Sequence, residues 1–179
     1  MNFTPFPELK TDRLVLRQLQ PTDWKEIVFL RSDKEVNKFV KRPQAKNQAE
    51  ALTFIEKITK ATKNNESLYW CITLKGQQEM IGSISLWNFS KDLKTAEVGY
   101  DLHPKYQGLG IMNEAMKTIL NFGFNALNFQ KIEAYTHRNN EASKRLLLKN
   151  NFKHVKERID PEDADNIIFE LSFYNFAKE

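Results

Sequence analysis

Six consecutive residues have the types and spacing to hold an anion: Gln107-Gly108-Leu109-Gly110-Ile111-Met112. The chain has only six glycines, and two of them stand here. Behind them runs an apolar stripe of Met112, Ala115, Met116, Ile119, Leu120, Gly123, Phe124 and Leu127, the spacing of an amphipathic helix. Helices commonly open on Ser, Thr, Asp or Asn, whose side chain satisfies a free N–H. None of these precedes Asn113 in this first turn. Glycine leaves the backbone bare. Unpaired N–H groups at the positive end of a helix, open to close approach, suit a phosphate. The same residues also fit a Gly-rich strand-to-helix turn whose N–H groups meet water. The elements around them have to decide.

The bulk properties narrow the classes. A chain of 179 residues, 41% hydrophobic and 28% charged, has the size of one domain with a real core. We expect a single domain over 1–179, with its core about 9–173. No apolar run is long enough to span a bilayer. Residues 1–7 lack a basic segment followed by an apolar stretch, so no signal peptide is expected. The one cysteine, Cys71, has no partner for an intramolecular disulfide, which fits a reducing cytoplasm. A net charge of +4 permits an anionic ligand without requiring nucleic acid. The three histidines, His103, His137 and His154, show no metal-ligand spacing. No metal site is expected.

Taken in order, Leu14 and Leu16 alternate with Val15 and Arg17 as in a half-buried strand. Pro21 suits a helix start, with Asp23 near its positive end. Asn47 and Glu50 resemble a capping box ahead of the apolar face Ala51, Phe54, Ile55 and Ile58. Strand patterns follow at 68–75, 80–87 and 95–103, the first two joined by a turn at Gly76. Gly99 interrupts the third, which predicts a bulge or a place where something approaches the backbone. After the glycine loop and its helix comes a strand at 131–137, then a helix that Asn140 can cap and Asn151 can end. Two last strands, 152–157 and 167–173, flank an acidic loop with Asp160, Glu162, Asp163 and Asp165. The order β-α-α-β-β-β-α-β-α-β-β predicts an α+β fold. It is one mixed, mostly antiparallel sheet of about seven strands with helices on both faces. Ligands on such sheets gather where strand ends meet a helix N-terminus.

Three segments in this order resemble the GNAT superfamily of N-acetyltransferases. The loop from Gln107 to Met112 resembles that family's Gln/Arg-x-x-Gly-x-Gly/Ala acyl-CoA loop. Asn140-Glu141-Ala142-Ser143, with Arg145-Leu146-Leu147 and Asn151-Phe152, resembles its Asn-x-x-Ser…Leu-Leu…Gly-Phe segment. Thr11-Asp12-Arg13-Leu14-Val15-Leu16-Arg17 is similar to the opening of the branch that acetylates ribosomal-protein N-termini. Met112 and Asn151 depart from the pattern; Asn tolerates the left-handed backbone that Gly usually supplies there.

The resemblance implies acetyl-CoA as co-substrate. The N–H groups of Gly108, Leu109, Gly110, Ile111, Met112 and Asn113 would hold its pyrophosphate, with Gln107 opening the loop. The backbone of Tyr100, Asp101 and Leu102 would pair with the pantetheine arm, and Asn140 would bond the same arm. Acetyl transfer needs a base for the ammonium, donors for the oxyanion and a proton or hydrogen bond for the thiolate. Glu97 is the base candidate, with Tyr135 and His137 as alternates. A backbone N–H near Gly99 or Tyr100 suits the oxyanion. Ser143 is the candidate acid, because Leu147 stands where other branches place a Tyr. Cys71, between Trp70 and Ile72, reads as inert core. The implied acceptor is a primary amine: a protein N-terminus, or a small amine such as an amino acid, polyamine or antibiotic. A catalytically silent acyl-CoA-binding module and a basic RNA- or ribosome-binding domain are the competing readings. The assembly is a monomer or a homodimer.

Overall fold

A computed structural model describes residues 1–178. Eight strands form one open sheet in the order β1-β2-β3-β4-β5-β6-β8-β7. They are β1 (Leu9–Lys10), β2 (Leu14–Gln18), β3 (Leu68–Leu74), β4 (Gly82–Trp87), β5 (Thr95–Leu102), β6 (Lys131–His137), β7 (Lys153–His154) and β8 (Asn166–Ser172). The helices are α1 (Trp24–Ser32), α2 (Gln48–Lys63), α3 (Ile111–Asn121), α4 (Glu141–Lys149) and a final short α5 (Phe173–Phe176). The predicted order of elements holds. The count rises from about seven strands to eight because two-residue β1 pairs antiparallel with β2 at the sheet edge. The strand expected at 152–157 shrinks to Lys153–His154, and Phe173 opens α5 instead of closing β8.

Alternation along the strands sorts side chains onto two cores. Leu14, Leu16, Trp70, Ile72, Ile84 and Leu86 pack under α3 and α4 with Ile111, Ala115, Met116, Ile119 and Leu147. Leu19 and Cys71 face the other way and pack with Ile27, Leu30, Ala51 and Ile55 of α1 and α2. The α3 stripe is buried as its spacing predicts, Met112 included. Past Asn121 the backbone widens into a π-helical turn, Phe122–Ala126. Gly123 sits inside it because a Cβ there would lie 2.9 Å from Ile132 Cδ1.

Only β5 and β6 run parallel, and they pair over just three positions, from Thr95↔Lys131 to Glu97↔Glu133. Beyond Glu97, β5 stays with β4 as far as Leu102, and β6 stays with β8 along its whole length. The two halves of the sheet therefore part. Gly99 marks this parting. It does not interrupt the β4 ladder, where it stands opposite Ser85, so no bulge forms; instead β4 side chains approach its backbone, and a Cβ there would lie 3.2 Å from Ser85 Oγ and 3.5 Å from Trp87 Nε1.

Gly82 sets the spacing of β4 and β5. A Cβ there would lie 2.5 Å from the Asp101 carbonyl oxygen and 3.1 Å from Leu102 Cα, both backbone. Gly82→Ala should cost about 1–3 kcal/mol through this overpacking. A melting temperature lowered by several degrees in thermal denaturation is the expected result.

Candidate active site

A cavity of about 470 Å³ opens where the strands part, walled by the end of β5, the glycine loop, α3 and α4. Tyr100, Asp101, Leu102, Gln107, Gly108, Gly110, Ile111, Met112, Asn113, Asn140 and Ser143 line it. Leu109 does not; its side chain is 58% exposed and points outward. The segment carrying Val36, Phe39 and Val40 forms the outer wall.

The glycine loop is built to leave α3 uncapped. Gly110 occupies the N-cap position at φ 76° with no side-chain cap, and Gly108 has φ 75°. Side chains are strained in this left-handed region, so glycine is required at both positions. The loop is held from outside. Arg13 donates Nη1 to the Leu109 carbonyl at 3.0 Å and Nε to Glu114 Oε2 at 2.6 Å. Glu114 Oε1 also accepts from the Arg13 amide and the Thr11 hydroxyl. Burial pushes the Glu114 carboxyl up, but these bonds outweigh it and hold it below its ordinary range. Gln107 donates Nε2 to the Leu102 carbonyl at 3.1 Å, tying the loop to the end of β5. Asn150 donates to Asn113 Oδ1 at 3.0 Å across the α3–α4 contact.

On the α4 wall, Asn140 caps the helix by accepting from the Ser143 amide at 3.1 Å. Asn151 takes φ 61°, the left-handed residue predicted at that helix end. Leu147 is fully buried. Ser143 Oγ lies 2.7 Å from the Tyr100 hydroxyl, so the two hydroxyls meet across the cavity.

The sheet separates the remaining candidates. Tyr100 faces the α3–α4 core, while Glu97, Gly99 and Asp101 project to the opposite face. The Glu97 carboxylate lies outside the cavity lining. Burial pushes its pKa up to about 7, against the hydrogen bond from Asn88 at 3.4 Å, and the carboxylates of Asp160, Glu133 and Glu162 add to the rise. Glu133 stands opposite it on β6 and is driven the other way. Burial raises it too, but hydrogen bonds from Arg158 and the ammonium of Lys131 hold it down at about 2. Tyr135 is not brought to the cavity. Its hydroxyl donates to Glu133 Oε2 at 3.1 Å and accepts from Arg158 at 3.0 Å, and burial raises its pKa. That makes it an anchor for Glu133 and a poor base. The His137 ring packs on Phe39 at 5.3 Å. Cys71 is buried with its thiol pKa pushed up by desolvation, as expected of inert core.

Two interactions carried no readable sign in the sequence: the Tyr100–Ser143 pair and the tie of Arg42 to Asp101. Arg42 donates to Asp101 Oδ2 at 2.9 Å, to Asn37 Oδ1 and to the Leu30 carbonyl, while Ser83 donates to Asp101 Oδ1 at 2.6 Å. Lys41 reaches Asp163 of the acidic loop at 2.9 Å. Lys41 and Arg42, two basic residues ahead of α2, are therefore both paired within the chain. Among the described residues, no group of three or more His, Cys, Asp or Glu is placed to hold a metal ion, and no helix is long and apolar enough to cross a membrane.

The family described as "Acetyltransferase (GNAT) domain" matches residues 13–153. The chain belongs to this family of acetyltransferases. It is 31% identical over 148 residues to the N-acetyltransferase YoaA of Bacillus subtilis (strain 168), itself uncharacterised, covering 83% of this chain and 84% of that one. Solved structures share its fold. One is the ribosomal-protein-S5-alanine acetyltransferase from Vibrio fischeri, with TM-score 0.76 and 21% identity over 93% of this chain and 96% of that one. Another is RimL, a ribosomal L7/L12 α-N-protein acetyltransferase in complex with coenzyme A. Its TM-score is 0.80, with 16% identity over 93% of this chain and 98% of that one.

The Arg13 clamp predicts a local effect. Arg13→Ala removes one hydrogen bond to the loop and one ion pair to α3. Amide hydrogen exchange at residues 114–116, the first whose N–H groups bond back into α3, should quicken by about tenfold, with β3 and β4 amides unchanged.

Proposed function

We propose that this chain transfers the acetyl group of acetyl-CoA to a primary amine by direct attack in a ternary complex, and that the amine is a protein N-terminal α-amine. One observation carries the first half. The cavity joins an uncapped helix N-terminus, bare at Gly108 and Gly110, to a pair of hydroxyls at Tyr100 and Ser143. A pyrophosphate would occupy the missing cap of α3. The pantetheine arm would follow the free edge of β5 at Tyr100, Asp101 and Leu102, whose backbone lacks a β6 partner. Asn140 and Ser143 would flank its thioester end.

The base would then act from the other face of β5. Glu97, its pKa pushed up to about 7 by burial, has the strength to accept a proton from an ammonium near neutral pH. An α-amine has a reference pKa of ~8, against ~10.4 for a lysine side chain, so a carboxylate of this strength matches the α-amine better. Among the structural neighbours, RimL is by its name an α-N-protein acetyltransferase, and the Vibrio fischeri protein by its name acetylates a ribosomal protein's alanine. Ser143 would supply the hydrogen bond to the departing sulfur. The buried free thiol of Cys71 suits a reducing cytoplasm.

Two measurements test this reading. Acetyl-CoA at about a hundred times its Kd should stabilise the fold by about 2.7 kcal/mol, seen as a melting temperature raised by several degrees. An unchanged melting curve at millimolar acetyl-CoA would remove the cavity assignment. A mass-based screen of N-terminal peptides, polyamines and amino acids with acetyl-CoA should then return acetylated peptides.

The pH dependence follows from Glu97. Its folded pKa lies above the ordinary carboxylate value, so the folded state holds a proton that the unfolded state has lost. Stability therefore falls as pH rises from the ordinary carboxylate range through about 7, while kcat/KM rises through the same value. Glu97→Gln should lower turnover by about 10²–10⁴-fold and erase the limb near pH 7, leaving the acceptor amine's own limb near ~8. The same variant should melt higher than the wild type above pH 7. A loss of turnover with the wild-type pH limb retained would assign the base elsewhere.

A further inference from the structure

Tyr100 and Ser143 approach from opposite walls of the cavity, one from β5 and one from the first turn of α4. Their hydroxyl oxygens are 2.7 Å apart. Two hydroxyls bring two protons, and the bond between them uses one. The second O–H is available to the cavity that both residues line. Either oxygen can be the donor; with the more acidic phenol donating, Ser143 accepts and keeps its own hydrogen free. Ser143 sits in a helix, where a serine hydroxyl commonly turns back onto a backbone carbonyl of the preceding turn. The contact with Tyr100 holds Ser143 Oγ toward the strand wall instead.

Resting on the reading of acetyl-CoA as the co-substrate, we infer that Tyr100 is a positioning residue for Ser143: its phenol donates to Ser143 Oγ and leaves the serine hydrogen aimed at the sulfur of the bound thioester. The amine nitrogen, having given one proton to Glu97, bonds to the acyl carbon and loses a second proton to solvent as the amide forms; the C–S bond breaks, and its electron pair goes to sulfur. The Ser143 O–H hydrogen-bonds to that sulfur as its charge develops. Solvent supplies the proton that completes the free thiol, and the proton taken by Glu97 returns to solvent. Neither hydroxyl ionises. Burial raises the Tyr100 pKa to about 12, against the Ser143 hydrogen bond, which keeps the phenol a neutral donor. The arrangement gives Tyr100 a role beyond its backbone: a side chain on the strand wall sets the donor on the helix wall.

The probes are coenzyme A and desulfo-coenzyme A, which differ at the sulfur alone, titrated calorimetrically into the full chain at a pH where the thiol is partly ionised. The wild type should bind coenzyme A about tenfold more tightly than the desulfo analogue. Tyr100→Phe and Ser143→Ala should each remove most of that ratio while leaving desulfo-coenzyme A affinity intact. The double variant should lose no more than either single one, as two residues acting through one hydrogen bond require. Tyr100→Phe should also lower kcat about tenfold with the KM for acetyl-CoA unchanged. A wild-type ratio in either single variant overturns the inference, and so does additive loss in the double variant. Failure of the wild type to bind either probe would instead overturn the acetyl-CoA reading itself.

Discussion

The site depends on the parting of β5 from β6. Parallel pairing lasts three positions and then stops, because each strand continues with its antiparallel neighbour while the two neighbours diverge. A strand edge opened inside a sheet exposes backbone N–H and C=O groups that would otherwise be paired. An extended chain such as a pantetheine arm can satisfy them. The same parting places the N-terminus of α3 at one end of the gap and the first turn of α4 beside it. Helix dipole, free edge and hydroxyl donors thus meet at one cavity without any of them being unusual alone.

The parting also divides the chemistry between the faces of the sheet. Tyr100 and Ser143 lie on the α3–α4 side, and the Glu97 carboxylate on the other. The contrast between Glu97 and Glu133 shows how local the electrostatics are. They stand opposite each other on adjacent strands, both are desolvated, and yet one carboxyl is pushed up to about 7 and the other held down at about 2. The difference is the cations: Arg158 and Lys131 reach Glu133, while Glu97 has only an amide and surrounding carboxylates. Two carboxylates with separated pKa values on one face give one group fit to exchange protons and one fit to anchor a loop.

Around this frame, ion pairs fix segments that have little core of their own. Arg13 and Glu114 clamp the glycine loop to the start of β2. Arg42 and Asp101, with Ser83, pin the outer wall of the cavity to β5. The side chain of Asp101 is only 8% exposed, so the pairing satisfies a carboxylate that could not stay there alone. Both clamps join residues far apart in the chain. That is why neither pairing can be read from spacing along the chain.

Much of this molecule was determined by local sequence. Hydrophobic period set the strands and helices, the two glycines set the left-handed loop, Asn140 and Asn47 set caps, and Asn151 set a helix end, because each of these depends on residues within one or two turns. The order of elements followed, and with it the class of sheet. What only the tertiary structure decided was pairing across distance. It paired Tyr135 with Glu133 away from the cavity, left the Leu109 side chain outside the cavity lining, kept the β4 ladder unbroken at Gly99, and brought the Tyr100 and Ser143 hydroxyls together. Those outcomes depend on how far one strand follows another and which charge lies across the sheet, distances that no spacing along the chain encodes.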